Sequence, residues 1–264
     1  MLNPPINRMG GKSRLRKRII NMMPEHTCYV EPFFGAGWTF FGKEKSEVEV
    51  INDVDKELIN LFRMLKEHPE EVERVLKYEI IARDSFKEYK EMNIEHMTEI
   101  KRAVRYLYLI NSSFAAKGGS FGYGALKKPN QKIFNQDFEK LRDRLKNTYV
   151  ENKSAFEIIE KYDRPGTLFF CDPPYLGTTS YQDEFTLEDH IILRDILSNI
   201  QGKFILTIND HERIRELYKD FYIEEVQVMY SISREKEARK GYGELIIRNY
   251  ENTEENRKKD NKLL

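Results

Sequence analysis

His26-Thr27-Cys28-Tyr29-Val30-Glu31-Pro32-Phe33-Phe34-Gly35-Ala36-Gly37 runs from an apolar stretch into a turn with two glycines. An extended run that ends in such a turn, just before a helix, is the corner where doubly wound α/β folds hold a phosphate or a nucleoside. One Gly-x-Gly carries little weight alone, so its neighbours decide the reading. Val48 to Ile51 forms a second strand that ends in Asn52-Asp53-Val54-Asp55. An acid at the end of the second strand is where these folds hold the ribose hydroxyls of an adenosine-type cofactor. The competing reading, an acidic N-cap for a helix over Lys56 to Leu65, fits Asp55 better than Asp53. The third glycine of a dinucleotide fingerprint is missing, and Glu31 beside the turn would repel a pyrophosphate. A nicotinamide cofactor is disfavoured, and a cationic amino-acid nucleoside suits the corner better.

Upstream, Arg8-Met9-Gly10-Gly11-Lys12-Ser13 leads into the basic run Arg14, Arg16, Lys17 and Arg18. The glycines allow backbone to come close to a ligand, and Lys12 with the following helix start offers a cation and unpaired N–H groups to a negative group. A solvated helix face after a turn competes with that reading.

Downstream, strand and helix cease to alternate from Phe62 to Asn147. Met97, Ile100, Val104 and Leu107 recur at three and four residues and mark one apolar helix face. The glycine-rich stretch Asn111 to Gly124 follows, and then Lys127-Lys128-Pro129. Aromatic and basic residues interleaved on a loop or loose hairpin suit phosphates and unstacked bases, although a plain surface loop has the same composition.

Alternation returns with strands at Thr148 to Glu151, Thr167 to Cys171 and Lys203 to Ile208. Thr186 and Asp189 form a capping-box start for a helix over Leu187 to Ile200. Tyr222 to Met229 and Glu244 to Tyr250 can pair as antiparallel strands. The sum is an α/β fold: a doubly wound, mostly parallel seven-stranded sheet with one mainly helical insertion. The charged tail 251–264 is expected to be disordered.

The strand over Thr167 to Cys171 runs into Cys171-Asp172-Pro173-Pro174-Tyr175. Each proline fixes its own φ, removes a donor and holds the preceding residue extended. Carbonyls, a carboxylate and a flat ring are thereby presented together, a socket for a planar group that bears an NH2. A proline-stiffened turn after a core strand is the bland alternative, and the upstream motifs argue against it.

Composition sets the outer bounds. Over 264 residues, Lys plus Arg (44) balance Asp plus Glu (44), so net charge announces no nucleic-acid partner, though a local basic face would still attract phosphates. Hydrophobic residues make up 40% and aromatic residues 12%, enough for a real core. Cys28 and Cys171 each sit in a strand-like run and the histidines show no paired spacing, so a reduced, cytoplasmic protein without a metal site is expected. No apolar stretch has the length of a membrane span.

Four motifs now stand in one order, and together they resemble the Dam-like adenine-specific DNA methyltransferases. Arg8 to Lys12 resembles that family's N-terminal cofactor motif, Glu31 to Gly37 its glycine loop, Ile51 to Asp55 its acidic second-strand motif, and Asp172 to Tyr175 its catalytic motif. The resemblance spans Pro4 to Tyr250 and implies a Rossmann-like methyltransferase fold. It further implies S-adenosyl-L-methionine as methyl donor and a flipped adenine in double-stranded DNA as acceptor. Carried over, cofactor contacts fall on Arg8, Gly11, Lys12, Glu31, Phe33, Phe34, Gly35, Ala36, Gly37, Asp53 and Asp172. Asp172, Pro173, Pro174 and Tyr175 form the catalytic group. Residues 1–61 and 148–250 then make the catalytic domain and 62–147 the target-recognition insertion, with Ser112, Phe114, Lys117, Phe121, Tyr123, Lys127 and Lys128 toward DNA. The expected partners are the DNA and a restriction endonuclease; the expected state is a monomer, away from membranes.

Two departures stand out. The family often carries an aromatic residue where this chain has Arg8, and a guanidinium plane only partly replaces a ring. Members that read a familiar four-base site have a longer, Asn- and Arg-rich hairpin, so no target sequence is transferred. Other acceptors of the same chemistry are cytosine N4, RNA adenine and protein glutamine; such enzymes commonly carry Ser or Asn where this chain has Asp172. A catalytically silent DNA-binding module is the alternative from another class.

Overall fold

The computed structural model describes residues 1–8, 12–116, 118–122, 134–177, 185–228 and 242–252. Its strands are β1 (Cys28–Glu31), β2 (Val48–Asn52), β3 (Thr148–Glu151), β4 (Thr167–Cys171), β5 (Lys203–Asn209), β6 (Tyr222–Val228) and β7 (Tyr242–Arg248). The helices are α1 (Arg16–Met22), α2 (Trp38–Gly42), α3 (Lys56–Glu67), α4 (Pro69–Leu76), α5 (Arg83–Glu91), α6 (Glu99–Ser112), α7 (Phe138–Leu145), α8 (Ala155–Tyr162), α9 (Leu187–Asn199) and α10 (Glu212–Leu217). The sheet has seven strands in the order β3-β2-β1-β4-β5-β7-β6. β1 pairs parallel with β4 and β4 with β5, whereas β7 runs antiparallel to both β5 and β6. This is the doubly wound, mostly parallel sheet expected from the strand pattern, with the last two runs paired antiparallel as anticipated.

The chain divides into two compact units, of which the first comprises Met1–Ser13, Phe34–Lys45 and Ile51–Asn152. Its α3 starts because the Asp55 carboxylate accepts from the backbone N–H groups of Glu57 and Leu58, satisfying donors that the first turn leaves orphaned. Leu58, Ile59, Leu61, Phe62, Met64 and Leu65 of that helix are buried. Phe62 meets Phe34 edge to face at 4.8 Å between ring centres, and Phe34 meets Phe40 likewise at 5.5 Å, the geometry that ring quadrupoles favour. Arg144 of α7 lies 3.5 Å over the Phe40 ring and donates from Nη2 to the Phe40 carbonyl at 2.7 Å, so a buried charge is satisfied by a ring face and a backbone oxygen. The capping residue of α6 is Thr98, and Met97 therefore falls outside the helix whose apolar face it was expected to join; Val104 and Leu107 are buried as that spacing requires. The backbone of the preceding short turn, Ile94–His96, ends at Met97.

The second unit comprises Arg14–Phe33, Ser46–Val50 and Lys153–Leu264. All five residues of β4 are buried, and so are five of the seven in β5. Near-continuous apolar runs are what strands covered on both faces must have. Val30, Phe169, Phe204, Leu206, Ile208, Leu245 and Ile247 form one core with Ile158 and Ile159 of α8 and Leu193 and Leu197 of α9. Each such side chain contributes about 1.5–3 kcal/mol on burial. The capping box at Thr186 and Asp189 is present, with both hydrogen bonds made. Asn252 is buried, and the charged tail beyond it lies outside the described residues.

Candidate active site

In the first unit the glycine turn and the acid after β2 are joined directly. The Gly35 N–H donates to Asp53 Oδ2 at 2.9 Å, and the Asp55 N–H donates to Asp53 Oδ1 at 3.0 Å. Gly35 and Gly37 have φ of 51° and 72°, a region open to glycine and costly for other residues. Among the described residues nothing lies within 4 Å of a β-carbon built on Gly35. Burial pushes the Asp53 carboxyl above its ordinary range, opposed by the Arg8 charge and by the two backbone hydrogen bonds.

Asp55 does two jobs. One oxygen caps α3, and Oδ2 accepts from Arg8 Nη2 at 2.9 Å and from the Tyr106 hydroxyl at 3.0 Å. Arg8 is thus tied to the acidic corner by an ion pair, and Tyr106 of α6 reaches the same carboxylate. Burial, with the neighbouring acids, holds the Tyr106 phenol well above its usual range. Phe34 and Ala36 are buried; the Phe34 ring belongs to the aromatic core. Lys12 is buried as well, and Gly11 lies outside the described residues.

The second unit holds the other half of the expected site residues. Glu31 is buried and accepts from the Tyr29 hydroxyl at 2.6 Å. Phe33 packs edge to face on Phe185 at 5.6 Å, and Phe185 in turn on His190 at 4.7 Å. Burial pushes the His190 imidazole down to about 4. Asp172 leaves β4 with Oδ1 accepting from the Thr207 hydroxyl at 2.9 Å. Pro173 is buried and Pro174 half-buried. The half-buried Tyr175 donates its hydroxyl to Glu244 Oε1 at 2.8 Å. Leu176 is gripped by Asn209, which accepts from its N–H at 3.2 Å and donates to its carbonyl at 3.4 Å.

The residues expected to face DNA divide. Ser112 is buried at the end of α6, and its carbonyl accepts from the Gly122 N–H at 2.8 Å. A bridge between Ser113 and Phe121 closes a small antiparallel turn, the hairpin that the sequence allowed. Phe121 meets Phe86 edge to face at 5.7 Å with Arg83 over its ring at 5.4 Å, so the ring has partners within the protein. Phe114 is 64% exposed on that turn. Lys117, Tyr123, Lys127 and Lys128 lie outside the described residues.

Sequence reasoning passed over Tyr106, Thr207, Asn209 and Glu244. A signal existed for the last two. Asn209 closes an apolar strand and Glu244 stands alone before Leu245-Ile246-Ile247, and a polar residue on a core strand is costly unless it has a partner.

A doubly wound sheet with a glycine turn after β1 and an acid after β2 has the architecture of a nucleoside-binding α/β protein, and Asp-Pro-Pro-Tyr follows β4. The chain belongs to the D12 class N6 adenine-specific DNA methyltransferase family, whose model matches residues 9–232. It is 31% identical to the Type II methyltransferase M1.LlaDCHI of Lactococcus lactis subsp. cremoris, over 95% of this chain and 96% of that protein. It is 27% identical to the Type II methyltransferase M.CviBI of Paramecium bursaria Chlorella virus NC1A, over 87% and 91% of the two chains. With the DNA adenine methylase of Escherichia coli strain K12 it shares 26% identity, over 90% and 91%. The protein is an enzyme that methylates the N6 amine of adenine in DNA.

Proposed function

We propose that the chain takes its methyl group from S-adenosyl-L-methionine and acts on an adenine turned out of double-stranded DNA. The observation that carries the donor assignment is the Gly35–Asp53 contact, beside space that no other described residue fills. A nucleoside with two vicinal hydroxyls needs a carboxylate acceptor, and its polar chain needs backbone that can be approached closely. The corner offers both. Asp53 would hold the ribose, the Phe33 to Gly37 turn would pass around the amino-acid part, and Arg8, Lys12 and Glu31 would complete the surroundings. Held by Asp55, the Arg8 plane would lie beside the nucleoside in place of the family's aromatic residue.

When bound, S-adenosyl-L-methionine supplies an electrophilic methyl group on a sulfonium sulfur. The task of the chain is to make the amine attack it. An aromatic amine is a poor nucleophile because its lone pair is delocalised into the ring. A carboxylate oxygen of Asp172 that accepts one N6 hydrogen, with the Pro173 carbonyl accepting the other, draws the nitrogen toward tetrahedral geometry and localises that pair. The Thr207 hydroxyl on Oδ1 keeps the carboxylate oriented. Pro174 stiffens the segment, and the Tyr175 ring stacks on the flipped base.

Target choice would lie in residues 62–147, where Phe114 offers an exposed aromatic face and Lys117, Tyr123, Lys127 and Lys128 supply cations and a ring. The Type II names of two relatives support a role beside a restriction endonuclease. The same reading has the enzyme working as a monomer on cytoplasmic DNA. Among the described residues no helix is long and apolar enough to cross a membrane. Calorimetric titration with S-adenosyl-L-methionine tests the donor site. Asp53→Ala should bind at least tenfold more weakly than the wild type, and equal affinities would remove Asp53 from it.

A further inference from the structure

Asn209 and Glu244 are register partners across the antiparallel β5–β7 pair. Around them the strands are apolar and buried, from Phe204 to Leu206 and Ile208 on one side and Leu245 to Ile247 on the other. Glu244 is only 2% exposed. A carboxylate there desolvates at a cost, and an apolar residue would serve the sheet better. Its Oε1 accepts from the hydroxyl of Tyr175, 69 residues away in the chain. Its cross-strand neighbour Asn209 holds both backbone groups of the next residue, Leu176. Two positions back on β5, and so on the same face as Asn209, Thr207 holds Asp172. One patch of sheet therefore touches three of the five residues from Asp172 to Leu176.

We infer that Glu244, with Asn209, is a positioning residue for catalysis: it fixes the direction of the Tyr175 ring through the phenol while Asn209 fixes the backbone just beyond it. This rests on Tyr175 being the ring that stacks on the base. A ring tethered at its hydroxyl, on a chain tethered one residue later, has its direction fixed at both ends. It then surrenders less rotamer freedom when the base arrives, and the amine is presented in fewer orientations. Loss of the tether should thus appear in turnover, with donor binding untouched.

The test measures kcat and the KM values for donor and for unmethylated duplex DNA in wild type, Glu244→Ala, Glu244→Gln, Tyr175→Phe, Tyr175→Ala and the Glu244→Ala/Tyr175→Phe double variant. Glu244→Ala should lower kcat about 10- to 100-fold, the scale of a broken hydrogen bond to a charged group, with donor KM unchanged. Glu244→Gln, which keeps an acceptor oxygen, should recover to within about threefold of wild type. In the double variant the effects should fail to add, because both changes cut the same hydrogen bond. Additive effects, or wild-type kcat in Glu244→Ala, would overturn the inference. Should Glu244→Ala not fold, Tyr175→Phe and Glu244→Gln decide: a turnover loss in the first with recovery in the second supports the tether, and any other pattern refutes it. If Tyr175→Ala itself turns over at the wild-type rate, the stacking role falls instead. A crippled Tyr175→Ala beside normal Glu244 variants refutes the tether alone.

Discussion

Replacing Gly37 and Gly35 separately by alanine should damage the enzyme in two different ways, although the residues are two apart in one turn. At Gly37 the backbone has φ of 72°, and an added β-carbon would lie 2.6 Å from Cε2 of Phe34 and closer still to Cζ. That ring cannot swing aside cheaply, because it is 3% exposed and wedged against Phe62 and Phe40. Left-handed backbone costs an alanine about 1–2 kcal/mol, and overfilling a packed core costs about 1–3 kcal/mol more. The sum, about 2–5 kcal/mol, corresponds to a fall in Tm of roughly 4–20 °C for a chain of this size. At Gly35 the φ of 51° brings a similar backbone cost, but the new methyl meets no atom of the described residues within 4 Å. It enters the space assigned to the donor instead. Urea unfolding and donor titration on both variants separate the effects: Gly37→Ala should lose more stability, and Gly35→Ala should lose donor affinity by more than tenfold. A Gly37→Ala protein as stable as Gly35→Ala would refute the packing argument, and unimpaired donor binding by Gly35→Ala would refute the site.

Acid should weaken the fold through His190. Its imidazole titrates near 4 in the folded chain against an ordinary 6.5, so its contribution is complete above pH 6.5 and is lost as pH falls through 4. The loss is on the order of 3 kcal/mol. Unfolding free energies at pH 7.5 and pH 4 should differ by that much less in His190→Leu, and identical pH dependence in the two proteins would contradict the assignment. On the DNA side, neutralising Lys117, Lys127 and Lys128 together should lower affinity and reduce the slope of log K against log salt by about 0.9 for each phosphate that is no longer neutralised. An unchanged slope would move the DNA face to another surface.

The strands were legible because buried parallel strands must be continuous apolar runs, and β4 and β5 are that almost without interruption. Asp55 was legible as a cap from its position alone, since a carboxylate just before an apolar helix has orphan N–H groups to satisfy. Its second task was not, because Tyr106 comes to it from a helix 51 residues away. Phe33 and Phe34 could not be told apart by type, yet one packs on Phe185 and the other enters the aromatic core. Ser112 could have been placed inside: it lies four residues after Tyr108 and eight after Val104, on the buried face of α6. The partners of Asp172 and Tyr175 depended on strand register, 35 and 69 residues downstream, which local pattern does not encode.

The claim on which everything else depends is that Asp172 drives methyl transfer to the adenine amine. Unmethylated duplex DNA incubated with the enzyme and S-adenosyl-L-methionine, then digested to nucleosides and resolved by mass, reads it directly. N6-methyldeoxyadenosine should form with the wild type and fall by at least a thousandfold with Asp172→Ala, while Thr207→Val, which removes only the hydroxyl that orients the carboxylate, should show an intermediate loss of about tenfold. Wild-type yields of N6-methyldeoxyadenosine from Asp172→Ala would contradict it.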